Sequence, residues 1–270
     1  MVKLQLYYSL VILQKDGSRM KIGLKELSTA GVFTAIVCMA TLVLKIDIPA
    51  TQGYFNLGDS MIYVAALLFG PFVGGVAGGL GASLADIITG ALWYAPGTLA
   101  IKAVEGVIVG YLMQRFHKTV EVTSKWKWLT VLIGIGLGGL IYCLGSTYYI
   151  GIFASVLAER LFWAVIAILT GAFLVYFGLR RQQPLISWHV LSVLCGGSEM
   201  ILGYYLYETL LLPYILPLFM PVWTIYALVE VPFNVGQAVI GLIIALPIVR
   251  TVSHAFPSLE ISRSSNKQDV

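Results

Sequence analysis

The chain has 270 residues, of which 59% are hydrophobic and only 11% charged, with a formal net charge of +4. Soluble domains carry about 25% charged residues, so so few charges cannot cover so much apolar surface in water. The composition requires an integral membrane protein, and the strict alternation of an outer-membrane barrel is missing, which leaves a helical one.

In chain order, residues 1–25 come first and hold a short apolar run, LYYSLVIL, too short to span a bilayer. No small-residue cleavage site follows it, so the stretch reads as a cytoplasmic or interfacial tail, with Met20 as an alternative start. Eight apolar spans follow, near 27–45, 58–70, 72–91, 97–114, 129–147, 151–178, 188–212 and 222–249. They predict an all-α bundle of about eight transmembrane helices over residues 26–253. The second and third spans are split only by Gly70-Pro71, where a tight turn is expected. Residues 254–270 are polar and Ser-rich and read as a disordered cytoplasmic tail.

Eight spans put both termini on one side. Lys3, Lys15, Arg19, Lys21 and Lys25, then Arg115, Lys118, Lys125 and Lys127, then Arg180 and Arg181, and finally Arg250 all fall on that side. The positive-inside rule makes it cytoplasmic in the cell membrane. The basic excess therefore sets topology and is no sign of nucleic-acid binding. The sequence KWKW at 125–128 suits a cationic, aromatic anchor at the membrane surface. The outward loops 45–58, 91–97, 146–150 and 213–221 are aromatic, Pro-rich and poor in charge. Tyr and Trp there fit an interfacial belt as readily as ligand contact.

Residues 54–114 carry the most information. Gly70, Gly74 and Gly78 recur in fours, with Gly75, Gly79 and Ser83 alongside. Lipid is as apolar as Leu, so helices associate there by close backbone approach at small residues. Within this apolar text stand Asp59, with Asn56 before it, Asp86, Lys102 and Glu105. Lys102 and Glu105 are at i, i+3 and share a helix face; a satisfied intrahelical pair is one reading, and Asp86 serving only as a cap is another. Further on, Tyr204 and Glu208 lie in the outer half of the seventh span, with Tyr207 between them. Glu230, Asn234 and Gln237 form one polar stripe on the eighth, with Pro232 inside it. Trp93 and Tyr94 occupy the loop between. Charges at membrane depth are costly unless they face a protein interior or a wet cavity. Most of these residues sit in the outward half, so they predict an outward-facing binding cavity rather than a relay across the bilayer. Glu199, near mid-membrane, is the exception, and Glu159 and Arg160 read as structural.

Catalysis finds no support. No G-x-x-x-x-G-K-[ST] is present, so the chain does not cradle ATP. His117, His189 and His254 lie at cytoplasmic ends and are not grouped, so neither a metal site nor a His base is expected. Cys38, Cys143 and Cys195 have no pair or metal spacing and read as small core residues. No cofactor is implied.

The blocks FNLGDSMIYVAALLFGPFVGGVAGGLGASLAD, WYAPGTLAIKAVEGVIVGYL, GGSEMILGYYLYE and ALVEVPFNVGQAVIGLIIALPI resemble the substrate-binding S component of energy-coupling-factor (ECF) vitamin transporters, riboflavin-type branch. The resemblance implies a core of six membrane helices, cytoplasmic termini and a vitamin or vitamin precursor bound near the outer face. It also implies a transmembrane coupling protein and cytoplasmic ATPases as partners, with the S component toppling to deliver its cargo. Small residues on the first helix form the family's docking face; here Gly31 and Ala35 are in place for it, although ordinary helix packing explains them equally. Residues 129–178 depart from the pattern as an inserted helical hairpin.

The leading expectation is therefore the substrate-specific subunit of an ATP-driven importer. A stand-alone secondary transporter is the alternative, for which only a weak rhythm between 102–112 and 234–243 offers an internal repeat. Five carboxylates (Asp59, Asp86, Glu105, Glu208 and Glu230) against Lys102, with aromatics nearby, suit a flat neutral or cationic ring that makes hydrogen bonds. Riboflavin, a hydroxymethylpyrimidine and pyridoxine all fit.

Overall fold

A computed structural model describes residues 23–47, 53–119, 125–148, 156–179, 184–215 and 220–256. Most of the expected tails 1–25 and 254–270, and the basic stretch 180–183, lie outside the described residues. In order, the elements are α1 (Leu24–Val43), β1 (Ile46–Asp47), β2 (Tyr54–Phe55), α2 (Gly58–Phe69), α3 (Pro71–Thr89), α4 (Ala95–Thr119), α5 (Lys125–Tyr148), α6 (Val156–Leu179) and α7 (Pro184–Leu206). A π-helical turn, Tyr207–Leu211, leads into α8 (Leu212–Ile215), and α9 (Met220–Ala255) follows. Strands β1 and β2 pair antiparallel, Ile46 with Phe55 and Asp47 with Tyr54.

Within the described residues, each expected span falls on a helix. Among the described residues, five helical segments are long and apolar enough to cross a membrane: Leu24–Val43, Pro71–Thr89, Ala95–Arg115, Trp188–Ile215 and Thr224–Ala255. Helix α2 is not one of them. Its 12 residues rise about 18 Å at 1.5 Å each, less than the ~30 Å hydrocarbon core. Ten of those residues are buried, because α2 sits inside the bundle among α1, α3, α4 and α9. Its ends therefore meet protein rather than lipid.

Glycine explains how so much helix fits around α2. Gly70, at φ 91°, makes the turn that a side chain would resist, and Pro71 starts α3 at its first position. A Cβ at Gly74 would lie 2.6 Å from the Ala66 Cβ and 2.8 Å from the Gly106 oxygen. One at Gly78 would lie 2.5 Å from the Lys102 oxygen, and one at Gly79 would lie 2.8 Å from the Leu99 oxygen. The fourfold spacing thus lines one face of α3 against α2 and α4 at backbone distance, as small-residue interfaces in membranes require. An apolar core of Tyr63, Leu67, Val109, Met113, Leu242 and Leu246 closes the middle of the bundle. Apolar side chains such as Leu80, Leu84, Ile88 and Leu228 face outward, toward lipid.

Helices α5 and α6 occupy the stretch read as an inserted hairpin. They pack chiefly on each other, with Gly138 against Ala167 and Gly171 against Gly134, and rest lightly on α7 and α9.

Gly79→Ala drives a methyl into α4 and should destabilise the fold by about 1–3 kcal/mol. Gly31→Ala meets nothing within 4 Å and should leave stability unchanged to within about 0.5 kcal/mol. Thermal unfolding of the detergent-solubilised protein, followed by tryptophan emission, checks both.

Candidate functional site

The site is built where the β-hairpin, α2, α4 and α9 meet. Asn56 ends the strap formed by β1 and β2, and its Oδ1 accepts from the Gly58 amide at 2.8 Å, which starts α2. The Asn56 backbone amide and Nδ2 both donate to Gln237 Oε1, at 3.0 and 3.2 Å. The Gln237 amide then donates to Asp59 Oδ2 at 2.9 Å. Asp59 Oδ1 takes the Lys102 ammonium at 2.5 Å, and Lys102 reaches Glu105 Oε2 at 3.1 Å. The Tyr63 hydroxyl donates to Glu105 Oε1 at 2.7 Å. Every carboxylate oxygen of Asp59 and Glu105 therefore has its own donor. Asp59, Lys102 and Glu105 are 1%, 2% and 0% exposed. Charge buried this deeply persists only in such a satisfied network.

In front of this network lies a cavity of about 40 Å³. Of the residues singled out in the sequence, Asn56, Asp86, Tyr94, Lys102, Tyr204, Glu230, Asn234 and Gln237 line it. Asp59 and Glu105 stand behind Lys102. Trp93 does not line the cavity; it packs with Tyr94 and Tyr207, and its carbonyl accepts from the Tyr207 hydroxyl at 2.5 Å. Glu208 is buried beside Tyr94 and Glu230. Glu199 is half-buried on α7, within electrostatic reach of Lys102. Gly31 and Ala35 lie on an exposed face of α1. A larger groove, about 550 Å³, runs along the hairpin between α5 and α6. Its walls are Gly, Ala and aliphatic residues with Tyr142, so it offers no chemistry for a polar ligand.

Five further lining residues escaped notice in the sequence: Thr41, Gly53, Tyr54, Ala82 and Thr98. Tyr54 donates its hydroxyl to Asp86 Oδ1. Burial and the Asp86 carboxylate push the Tyr54 phenol up, which keeps it a donor. Tyr204 donates to Thr98 at 3.0 Å, and its ring centroid lies 5.6 Å from the Lys102 ammonium. Lys45 sits 4.8 Å over the Tyr54 ring and pairs with Asp47 at 2.9 Å. The strap is thus pinned over the cavity at Tyr54 and Asn56. Thr98, four residues before Lys102, and Tyr63, four after Asp59, share those residues' helix faces, and that spacing was the available signal.

Removing one partner of a buried ion pair costs about 3–5 kcal/mol, so Lys102→Met should lower the unfolding temperature sharply. The triple change Asp59→Asn, Lys102→Met and Glu105→Gln removes the stranded charges and should recover most of that loss. The same thermal unfolding measurement on the two variants decides it.

Comparison with known proteins follows the same outline. A family model described as ECF-type riboflavin transporter, S component, matches residues 21–175 and 159–254. A protein of Pyrococcus woesei, described as an uncharacterized protein in gap 3' region, is 40% identical over 157 residues. That match covers 56% of this chain and 99% of the Pyrococcus protein. The chain belongs to the ECF-type riboflavin transporter S component family, and is a multi-pass membrane protein that serves as a transporter's substrate-binding subunit, not an enzyme.

Proposed function

We propose that this chain captures a vitamin or vitamin precursor at the outer face of the cell membrane and hands it inward as part of an ATP-driven ECF importer. One observation carries the reading: a polar cavity, walled by Asn56, Asp86, Lys102, Tyr204, Asn234 and Gln237, inside an apolar helix bundle and under a strap. With no ATP-binding motif of its own, the subunit needs a transmembrane coupling protein and cytoplasmic ATPases. The exposed Gly31–Ala35 face of α1 is the docking surface for the coupling protein. The basic clusters on the side of both termini support a cytoplasmic location for them.

The ligand is a flat ring that makes hydrogen bonds. Riboflavin leads because the family description names it, with a hydroxymethylpyrimidine and pyridoxine behind it. Drug-sized ligands occupy pockets of roughly 300–1,000 Å³, whereas the cavity here holds about 40 Å³. Binding therefore requires the strap to lift, breaking the Tyr54–Asp86 and Asn56–Gln237 contacts. Afterwards the aromatic rings of Tyr94 and Tyr204 offer stacking faces and Lys102 a hydrogen-bond donor.

A B-vitamin panel titrated into the purified protein, read by quenching of its tryptophans, tests this. One vitamin should bind without ATP or an ion gradient. Asn234→Ala and Gln237→Ala should each weaken it about tenfold, the equivalent of one lost hydrogen bond. A folded protein that binds none of the panel overturns the proposal.

A further inference from the structure

The hairpin α5–α6 contributes nothing to the cavity, yet it carries the groove of about 550 Å³. Gly138 lies against Ala167 and Gly134 against Gly171. That register is antiparallel, so α5 begins level with the point where α6 ends. Leu137 and Ile141 of α5 and Trp163 and Ile166 of α6 pack toward Val235 and Val239 of α9. The groove lies on another face. Ile135, Gly139 and Tyr142 form one wall and Ile168 and Ala172 the other, and all five are exposed. It therefore opens away from the bundle, into lipid.

Its dimensions decide what it can take. From Ala164 to Val175 it runs about 16.5 Å at 1.5 Å per residue. Half of the ~30 Å hydrocarbon core is about 15 Å, so the groove is as long as one leaflet is deep. Its volume spread over that length gives a mean cross-section of about 33 Å². A helix at least 10 Å across needs about 80 Å² and does not seat between these walls. A flexible hydrocarbon chain does, with van der Waals contact along both sides.

One end of the groove has a matching charge. It stops at Val175, beside Tyr176, and Trp128 of α5 stands near the same level; both rings are exposed and suit the headgroup boundary. Lys125 and Lys127 follow in the first turn of α5, where the positive end of the helix dipole also lies. Glu121 is the acidic residue of the stretch from Arg115 to Lys127, against Arg115, Lys118, Lys125 and Lys127, so the balance at this end is positive.

We propose that the hairpin binds one anionic phospholipid, with an acyl chain along the α5–α6 groove and the headgroup at the Lys125–Lys127 end. Basic residues beside an apolar groove at the membrane surface attract anionic headgroups. A second copy on the same face would share this chain's orientation in the membrane, so it would bring two positive ends together. The proposal is independent of the cavity and of what binds there.

The test titrates dioleoylphosphatidylglycerol or dioleoylphosphatidylcholine into the detergent-solubilised full-length protein and counts bound lipid by native mass spectrometry. The probes share their acyl chains, so a preference belongs to the headgroup. One phosphatidylglycerol per chain should bind at least about tenfold more tightly than phosphatidylcholine. The double change Lys125→Gln and Lys127→Gln should bring the two to within about threefold. Gly139→Leu, or Ala172→Leu on the facing wall, fills the groove and should weaken both lipids about tenfold. Gly136→Leu is the control: a Cβ there also meets nothing within 4 Å, but Gly136 does not line the groove, and it should bind both lipids like the parent. Equal binding of the two lipids overturns the proposal. So does a preference that survives the double Gln change, or a loss that Gly136→Leu causes as fully as Gly139→Leu. A dimer that Gly139→Leu breaks makes a second copy the occupant and overturns it too.

Discussion

The structure turns on one buried cation. Lys102 lies 2.5 Å from Asp59 and 3.1 Å from Glu105, all within a bundle whose surroundings are apolar. Taking such charges out of water costs several kcal/mol per ion, and the surrounding architecture supplies the compensation. Asp59 is presented by the first turn of α2, Lys102 and Glu105 by one face of α4, and Gln237 by α9. Three elements are thereby tied at one depth, and Asn56 adds the strap to the same chain of hydrogen bonds.

The glycines of α3 are the other half of this arrangement. Lys102 can reach Asp59 only if α4 lies close to α2, and α3 touches both. A side chain at Gly78 would meet the Lys102 carbonyl at 2.5 Å and the Ile62 side chain at 3.1 Å. Bare backbone there draws the helices together and also removes the polar atoms of the ion network from lipid. The half-length α2 follows from the same geometry, since a helix enclosed by four others has no need to match the bilayer.

Much of this was legible in the residues. Long apolar runs located the helices, because a bilayer imposes a length that composition reveals. The spacing of Lys102 and Glu105, and of Glu230, Asn234 and Gln237, placed each set on one helix face. The third member of the ion network was less accessible. Asp59 belongs with Lys102 only because α2 stops short and turns back at Gly70, a tertiary fact with no local signature. Thr41 and Thr98 were missed because a lone hydroxyl in apolar text is usually satisfied by its own helix, as the Thr41 hydroxyl also is by the Val37 carbonyl, and Tyr54 because an aromatic in an outward loop reads as part of an interfacial belt. The π-helical turn around Glu208 had no signal either: one extra residue in a helix alters no periodicity that a short window detects.

The strap has a kinetic consequence. Tyr54 and Asn56 hold it down across a cavity of about 40 Å³, so on the proposed function its lifting, rather than collision, would limit capture. On that proposal a ligand would bind the open conformer, and its apparent affinity would be the intrinsic one diluted by that conformer's population. The same contacts, re-formed over a bound molecule, would slow its departure. A latch of this kind would trade speed of capture for length of residence.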